Sequence, residues 1–204
     1  MDKIKNLLDK ITWKKWLLFL LLSQTVYGIM QFYTIPLLYR EAGNLKIFDM
    51  LPTGYTYAYA KLFLSQLSPR GYMVYKWVQV LLLDLIYPFL NAVTGICTLT
   101  VLYRLHGYVK RRGTESGYKG LFIVTAFLPV CVMAADYLEN IMILIMLSCK
   151  EAVPKEAVAA AAAMTTVKSV GTVLFYSIVT VYFIGIGLLW MHKKRKRGGS
   201  IERV

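Results

Sequence analysis

Four apolar stretches, each long enough to cross a bilayer, constrain this chain more than any other feature. They run from about Trp16 to Leu38, Tyr72 to Leu102, Gly120 to Leu147 and Thr166 to Met191. A helix rises 1.5 Å per residue, so roughly 20 apolar residues traverse ~30 Å of hydrocarbon while every backbone polar group is satisfied inside the helix. With 57% apolar and 17% charged residues and a mean hydropathy of +0.52, the 204-residue chain has too little polar surface to wet a soluble fold. The expectation is an all-α polytopic membrane protein, a single membrane domain over residues 1–204 built as a four-transmembrane-helix bundle. The basic lead "DKIKNLLDKITWKK" before the first stretch has the look of a signal peptide. The apolar run is too long for one, however, and no small-x-small cleavage site follows, so it is read as a retained helix.

Charge sets the orientation. Of 24 Lys and Arg, sixteen fall in the N-terminal lead (3, 5, 10, 14, 15), the 104–119 link (104, 110, 111, 112, 119) and the tail (193–197, 203). By the positive-inside rule both termini are cytoplasmic, and the protein is expected in the plasma membrane as a multi-pass protein. The run "MHKKRKRGG" directly follows a span, so it is read as an anchor for anionic headgroups. The net charge of +13 then calls for membrane lipids as partners and for no nucleic acid.

Two links complete the layout. In the first, Thr56 is placed to cap a short amphipathic outer helix between spans 1 and 2, with Tyr59, Leu62, Phe63 and Leu67 on one face. The segment "DMLPTGY" before it reads as a turn carrying Asp49, Pro52, Gly54 and Tyr55. In the second link, Pro154 and the alanines after it favour a fourth helix that starts near Pro154.

The informative residues are the polar ones inside the spans, because ionised acids at the bilayer centre cost about 2.5–3.5 kcal/mol each. Asp84, Tyr87, Pro88, Asn91, Thr94 and Thr98 form one stripe on the second helix, and Asp136, Glu139 and Asn140 share a face on the third. The first contributes Gln24, Tyr27, Gln31 and Thr34, and the fourth Thr165, Lys168, Ser169, Thr172 and Tyr176. Counted along the helices, Asp84 and Asp136 both lie roughly 16 to 18 Å below the outer boundary, so these groups can meet in one layer. Pro88 removes the hydrogen bond to the carbonyl of Asp84, which must then be satisfied from elsewhere.

The acids demand protonation, pairing with Lys168, or a wet or cation-filled cavity. The candidate ligand site is lined by Asp84, Tyr87, Asn91, Asp136, Tyr137, Glu139, Asn140, Lys168 and Gln31, in the outer half of the bundle, and would take a cation or a lipid-like amphiphile. A proton- or cation-coupled carrier, a lipid-modifying enzyme and a purely structural polar core remain as alternatives, and homo-oligomers are compatible with each. No catalytic residue or cofactor is assigned. Cys97, Cys131 and Cys149 are odd in number and widely spaced, and His106 and His192 flank basic segments, so no metal site can be read.

The blocks "DMLPTGY", "DLIYPFLNA" and "DYLEN" resemble a group of small bacterial four-span integral membrane proteins, across most of the chain. The resemblance implies the same fold and a bacterial inner membrane, and points to Asp49, Pro52, Gly54, Tyr55, Asp84, Pro88, Asp136, Glu139 and Asn140 without conferring a chemistry. In architecture alone the chain is also similar to the sterol-isomerase and sigma-2-receptor family, whose four helices surround intramembrane acids that hold cationic amphiphiles.

Overall fold

The structure, a computed structural model, describes residues 10–110, 115–149 and 152–198. Lys3, Lys5, Arg111, Arg112 and Arg203, which enter the orientation count, lie outside the described residues. Four helical stretches are long and apolar enough to cross a membrane: span 1 (Trp13–Glu41), span 2 (Pro69–His106), span 3 (Thr125–Ser148) and span 4 (Lys155–His192). Their outer surface is apolar, with Phe32 88% exposed and Phe127, Val181 and Phe183 similarly bare, as lipid-facing positions should be. The protein is an all-α, multi-pass membrane protein.

The two ends of the bundle differ. At one end the links between spans 1 and 2 and between spans 3 and 4 come together; this is called the loop end below. At the opposite end the Trp16 indole donates to the Thr98 hydroxyl (2.9 Å), tying the start of span 1 to span 2. There, too, the Arg104 guanidinium donates to the Ile11 carbonyl.

The close-packed core sits at the loop end. Phe48 is fully buried between Tyr55 (ring centroids 4.5 Å), Phe63 (4.8 Å) and Tyr75 (6.2 Å). Around them gather Leu38 of span 1, Ile143, Met146 and Leu147 of span 3, and Val158 and Ala161 of span 4. Offset and tilted aromatic pairs at these separations each add about 0.5–1.5 kcal/mol beyond their buried area. This aromatic plug fixes the link residue that follows Phe48, which is Asp49.

The short link helix spans Tyr57–Gln66, and the Thr56 hydroxyl accepts from the Tyr59 amide (3.2 Å). Its buried face is Ala60, Phe63, Leu64 and Leu67, while Leu62 is 48% exposed. The expected face of Tyr59, Leu62, Phe63 and Leu67 is therefore turned: Ala60, small enough for close approach, faces the core and Leu62 faces outward. Ser68 ends this helix and caps the next, accepting from the Gly71 amide (3.0 Å) with Pro69 in the first turn.

Two backbone irregularities re-aim side chains. Span 1 widens to a π-helix at Met30–Thr34, and span 2 does so over the ten residues Val74–Leu83, immediately before Asp84. Such i→i+5 segments are rare and change which residues share a face. Gly54, at φ +81°, lies so close to span 4 that a Cβ there would sit 3.1 Å from the Ala162 carbonyl oxygen. The alanine-rich start of span 4 thus gives the link a smooth surface to lie on.

Candidate functional site

The site is best built outward from Lys168. Its ammonium carries three N–H donors and meets three carboxylates: Asp49 Oδ1 at 2.8 Å, Asp136 Oδ1 at 3.0 Å and Glu139 Oε2 at 2.5 Å. Asp136 and Glu139 are one helical turn apart on span 3, so both project to the same side, toward span 4. Asp49 arrives from the link between spans 1 and 2, held by the aromatic plug. The three carboxylates each offer an oxygen to a group whose members all lie within 4.8 Å of one another.

Span 4 supplies a further support. The Thr165 hydroxyl, three residues before Lys168, donates to Glu139 Oε1 (2.6 Å), while Oε2 of this fully buried acid is held by its ion pair with Lys168 and makes no hydrogen bond of regular geometry. Burying charge without partners costs far more than any hydrogen bond returns, which is why a carboxylate at 0% exposure needs a cation and a donor at once. Three carboxylates and one ammonium leave a formal charge of −2. Asp49 Oδ2 and Asn140 Oδ1 are buried acceptors with no hydrogen-bond partner among the described residues, and the fully buried Tyr75 hydroxyl is likewise unpartnered.

Beside this tripod lies a second polar layer. Asp84, 3% exposed, accepts from the Gln79 amide nitrogen at both oxygens (3.1 Å each). Gln79 Oε1 in turn accepts from the Thr34 hydroxyl of span 1 (2.5 Å). Asp84 lies within electrostatic range of Asp49, Asp136 and Lys168, so the two layers form one charged neighbourhood. The carbonyl that Pro88 frees is taken by Asn140, whose Nδ2 donates to Asp84 O (3.3 Å). One residue on, the Leu85 carbonyl accepts from the Tyr137 hydroxyl (2.9 Å). Span 3 thereby repairs the kink in span 2.

Of the residues expected from sequence, the structure brings together Asp84, Asp136, Glu139, Asn140 and Lys168, with Tyr137 at the edge. Tyr87 stacks on Tyr27 of span 1 (5.7 Å). Asn91 is half-buried two turns, ~10 Å, along the axis from Asp84, and Gln31 is half-buried while Thr34, three residues on, faces the site. Pro52 and Gly54 shape the link, and Tyr55 packs on Phe48. Burial, with the carboxylates of Glu139 and Asp49 nearby, holds the Tyr55 hydroxyl protonated well above its ordinary 10.0.

Two contributors were not foreseen: Asp49 as a direct partner of Lys168, and Gln79 as the partner of Asp84. At α-helical spacing five residues turn by about 500°, leaving Gln79 and Asp84 about 140° apart; the π-segment between them closes that angle. The sequence signal for Gln79 is a lone amide in the apolar run "WVQVLLLD". Nor was a metal-capable group legible, because Asp49, Asp136 and Glu139 meet only in three dimensions.

These features define a multi-pass membrane protein with a buried cluster of acidic and amide side chains. No family model, curated protein or solved structure matches the chain.

Proposed function

We propose that the protein binds a small hard cation at the tripod of Asp49, Asp136 and Glu139, in competition with the tethered ammonium of Lys168. What carries this is the convergence of three carboxylates within 4.8 Å around one ammonium, which leaves two negative charges formally uncompensated. The unpartnered, buried oxygens of Asp49 and Asn140 support it, since each is a ready ligand for an ion that prefers oxygen. The burial of the cluster favours a bare cation over the bulky head of an amphiphile. With both termini cytoplasmic, as the Lys and Arg distribution suggests, the tripod faces the outer half of the bilayer; the resemblance to bacterial four-span proteins points to the inner membrane.

Chemically, Lys168 acts as a resident cation. When an external ion enters, the ammonium leaves the carboxylates, and when the ion departs it returns, so the site is never left with three bare acids. The test is calorimetric titration of the purified protein in lipid nanodiscs with Na⁺, Ca²⁺ and Mn²⁺. Saturable binding of one ion per chain is expected, lost in Asp49→Asn and Glu139→Gln and tighter in Lys168→Met. Absence of saturable binding in both the unaltered protein and Lys168→Met, or binding indifferent to Glu139→Gln, refutes it.

A further inference from the structure

A separate site lies on the flank of the loop end. The last turns of span 1, through Ile35, Pro36, Tyr39 and Arg40, and the link residues Lys46, Ile47 and Met50 enclose a groove of about 380 Å³. That volume falls in the range of small-molecule sites, about 300–1,000 Å³. The groove is preformed. Ile47 is buried in the core, the Tyr59 hydroxyl donates to the Lys46 carbonyl (2.7 Å), and the Asn44 amide donates to the Tyr39 carbonyl (2.9 Å).

Its chemistry is two-sided. The lining is almost wholly apolar, with Arg40 and Lys46 contributing their aliphatic stems, and both of these cations are exposed at its edge. Arg40 spends its Nε on the Pro36 carbonyl of its own helix (3.3 Å), and among the described residues no carboxylate pairs with Arg40 or Lys46. The neighbouring acid, Glu41, is committed elsewhere, accepting from the Ser68 hydroxyl and facing Arg70 at 3.8 Å. Along span 1, Phe32, Pro36 and Tyr39 are all exposed, and the last two line the groove, so it opens on the bare outer side of the span. An apolar groove at the end of a span with two cations at its edge, neither paired with a carboxylate among the described residues, matches an anionic amphiphile in polarity and charge.

We propose that this groove binds an anionic phospholipid, with an acyl chain along Ile35, Pro36, Tyr39 and Met50 and the headgroup phosphate between Arg40 and Lys46. The site is independent of the tripod and does not rest on cation binding there. It is tested by native mass spectrometry of the full-length protein released from nanodiscs containing equal amounts of phosphatidylglycerol and phosphatidylcholine with identical chains. The unaltered protein should retain phosphatidylglycerol roughly tenfold or more over phosphatidylcholine, the scale expected when two basic residues meet an anionic headgroup. The Arg40→Gln/Lys46→Gln protein, altered only at exposed positions, should show no preference, whereas Lys61→Gln on the same end should keep it. Met50→Glu should lower retention of both lipids. No preference in the unaltered protein, a preference surviving Arg40→Gln/Lys46→Gln, or an equal loss in Lys61→Gln overturns the proposal.

Discussion

Replacing Lys168 by methionine keeps most of the side-chain volume and removes only the charge at the centre of the tripod. Two carboxylates 4.8 Å apart repel by about 3.5 kcal/mol at an effective dielectric of about 20, and 4.8 Å is the upper bound on each separation here. Three such pairs amount to about 10 kcal/mol or more, comparable with the whole stability of an ordinary domain, about 5–15 kcal/mol. The acids must relieve that repulsion by taking up protons or a cation or by moving apart, so the measured cost is smaller than the bare Coulomb figure. Removing one partner of a buried ion pair typically costs about 3–5 kcal/mol, which for a chain of this size lowers the melting temperature by roughly 6 to 20 °C. The intrinsic fluorescence of the four tryptophans reports melting in detergent. The decisive arm is the triple variant Lys168→Met/Asp136→Asn/Glu139→Gln, which removes the repulsion together with the ammonium and should recover most of the loss. A Lys168→Met protein that melts with the unaltered one, or a triple variant no more stable than Lys168→Met, refutes the argument that mutual charge compensation holds this cluster together.

Three further outcomes follow from other parts of the molecule. Asn140→Ala leaves the Asp84 carbonyl unpaired beside Pro88 and should cost about 1–3 kcal/mol; in a Pro88→Ala background, where the helix satisfies that carbonyl itself, the same change should cost distinctly less, as a double-mutant cycle in thermal melting will report. Phe48→Ala empties the centre of the aromatic plug and should cost about 3–5 kcal/mol, measured by chemical or thermal unfolding. The Tyr55 hydroxyl is held protonated in the folded state by burial and by Glu139 and Asp49, so its contribution is fully present below about pH 10 and is lost as pH rises above it; Tyr55→Phe should therefore resist alkaline unfolding better than the unaltered protein, followed by fluorescence between about pH 9 and 12.

The polar stripes made much of the site legible in the sequence, because in a membrane it is polarity that must hide. Asp84, Asp136, Glu139, Asn140 and Lys168 meet where helical spacing and depth along the spans place them. Hydrophobicity was a poorer guide for the reverse reason: a lipid-facing residue such as Phe32 stays apolar without being buried, and on the link helix Leu62 is exposed while the smaller Ala60 is buried, so the packed face could not be told from the apolar pattern. Gln79 escaped because its pairing with Asp84 needs a π-helix, and the spacing rule assumed an α-helix. Asp49 escaped for a different reason. It lies in a link, 119 residues from Lys168, and where that link comes to rest is determined by tertiary contacts, the packing of Phe48 against Phe63 and Tyr75 among them.

Solid-state NMR on protein in lipid bilayers, with ¹⁵N in the lysine side chains and ¹³C in the aspartate and glutamate carboxyls, asks the central question without intermediaries. One lysine nitrogen should show short-range contacts to three separate carboxyl carbons, all vanishing in Lys168→Met and one vanishing in each of Asp49→Asn, Asp136→Asn and Glu139→Gln. A Lys168 nitrogen in contact with a single carboxyl, or with none, contradicts the tripod and everything built on it.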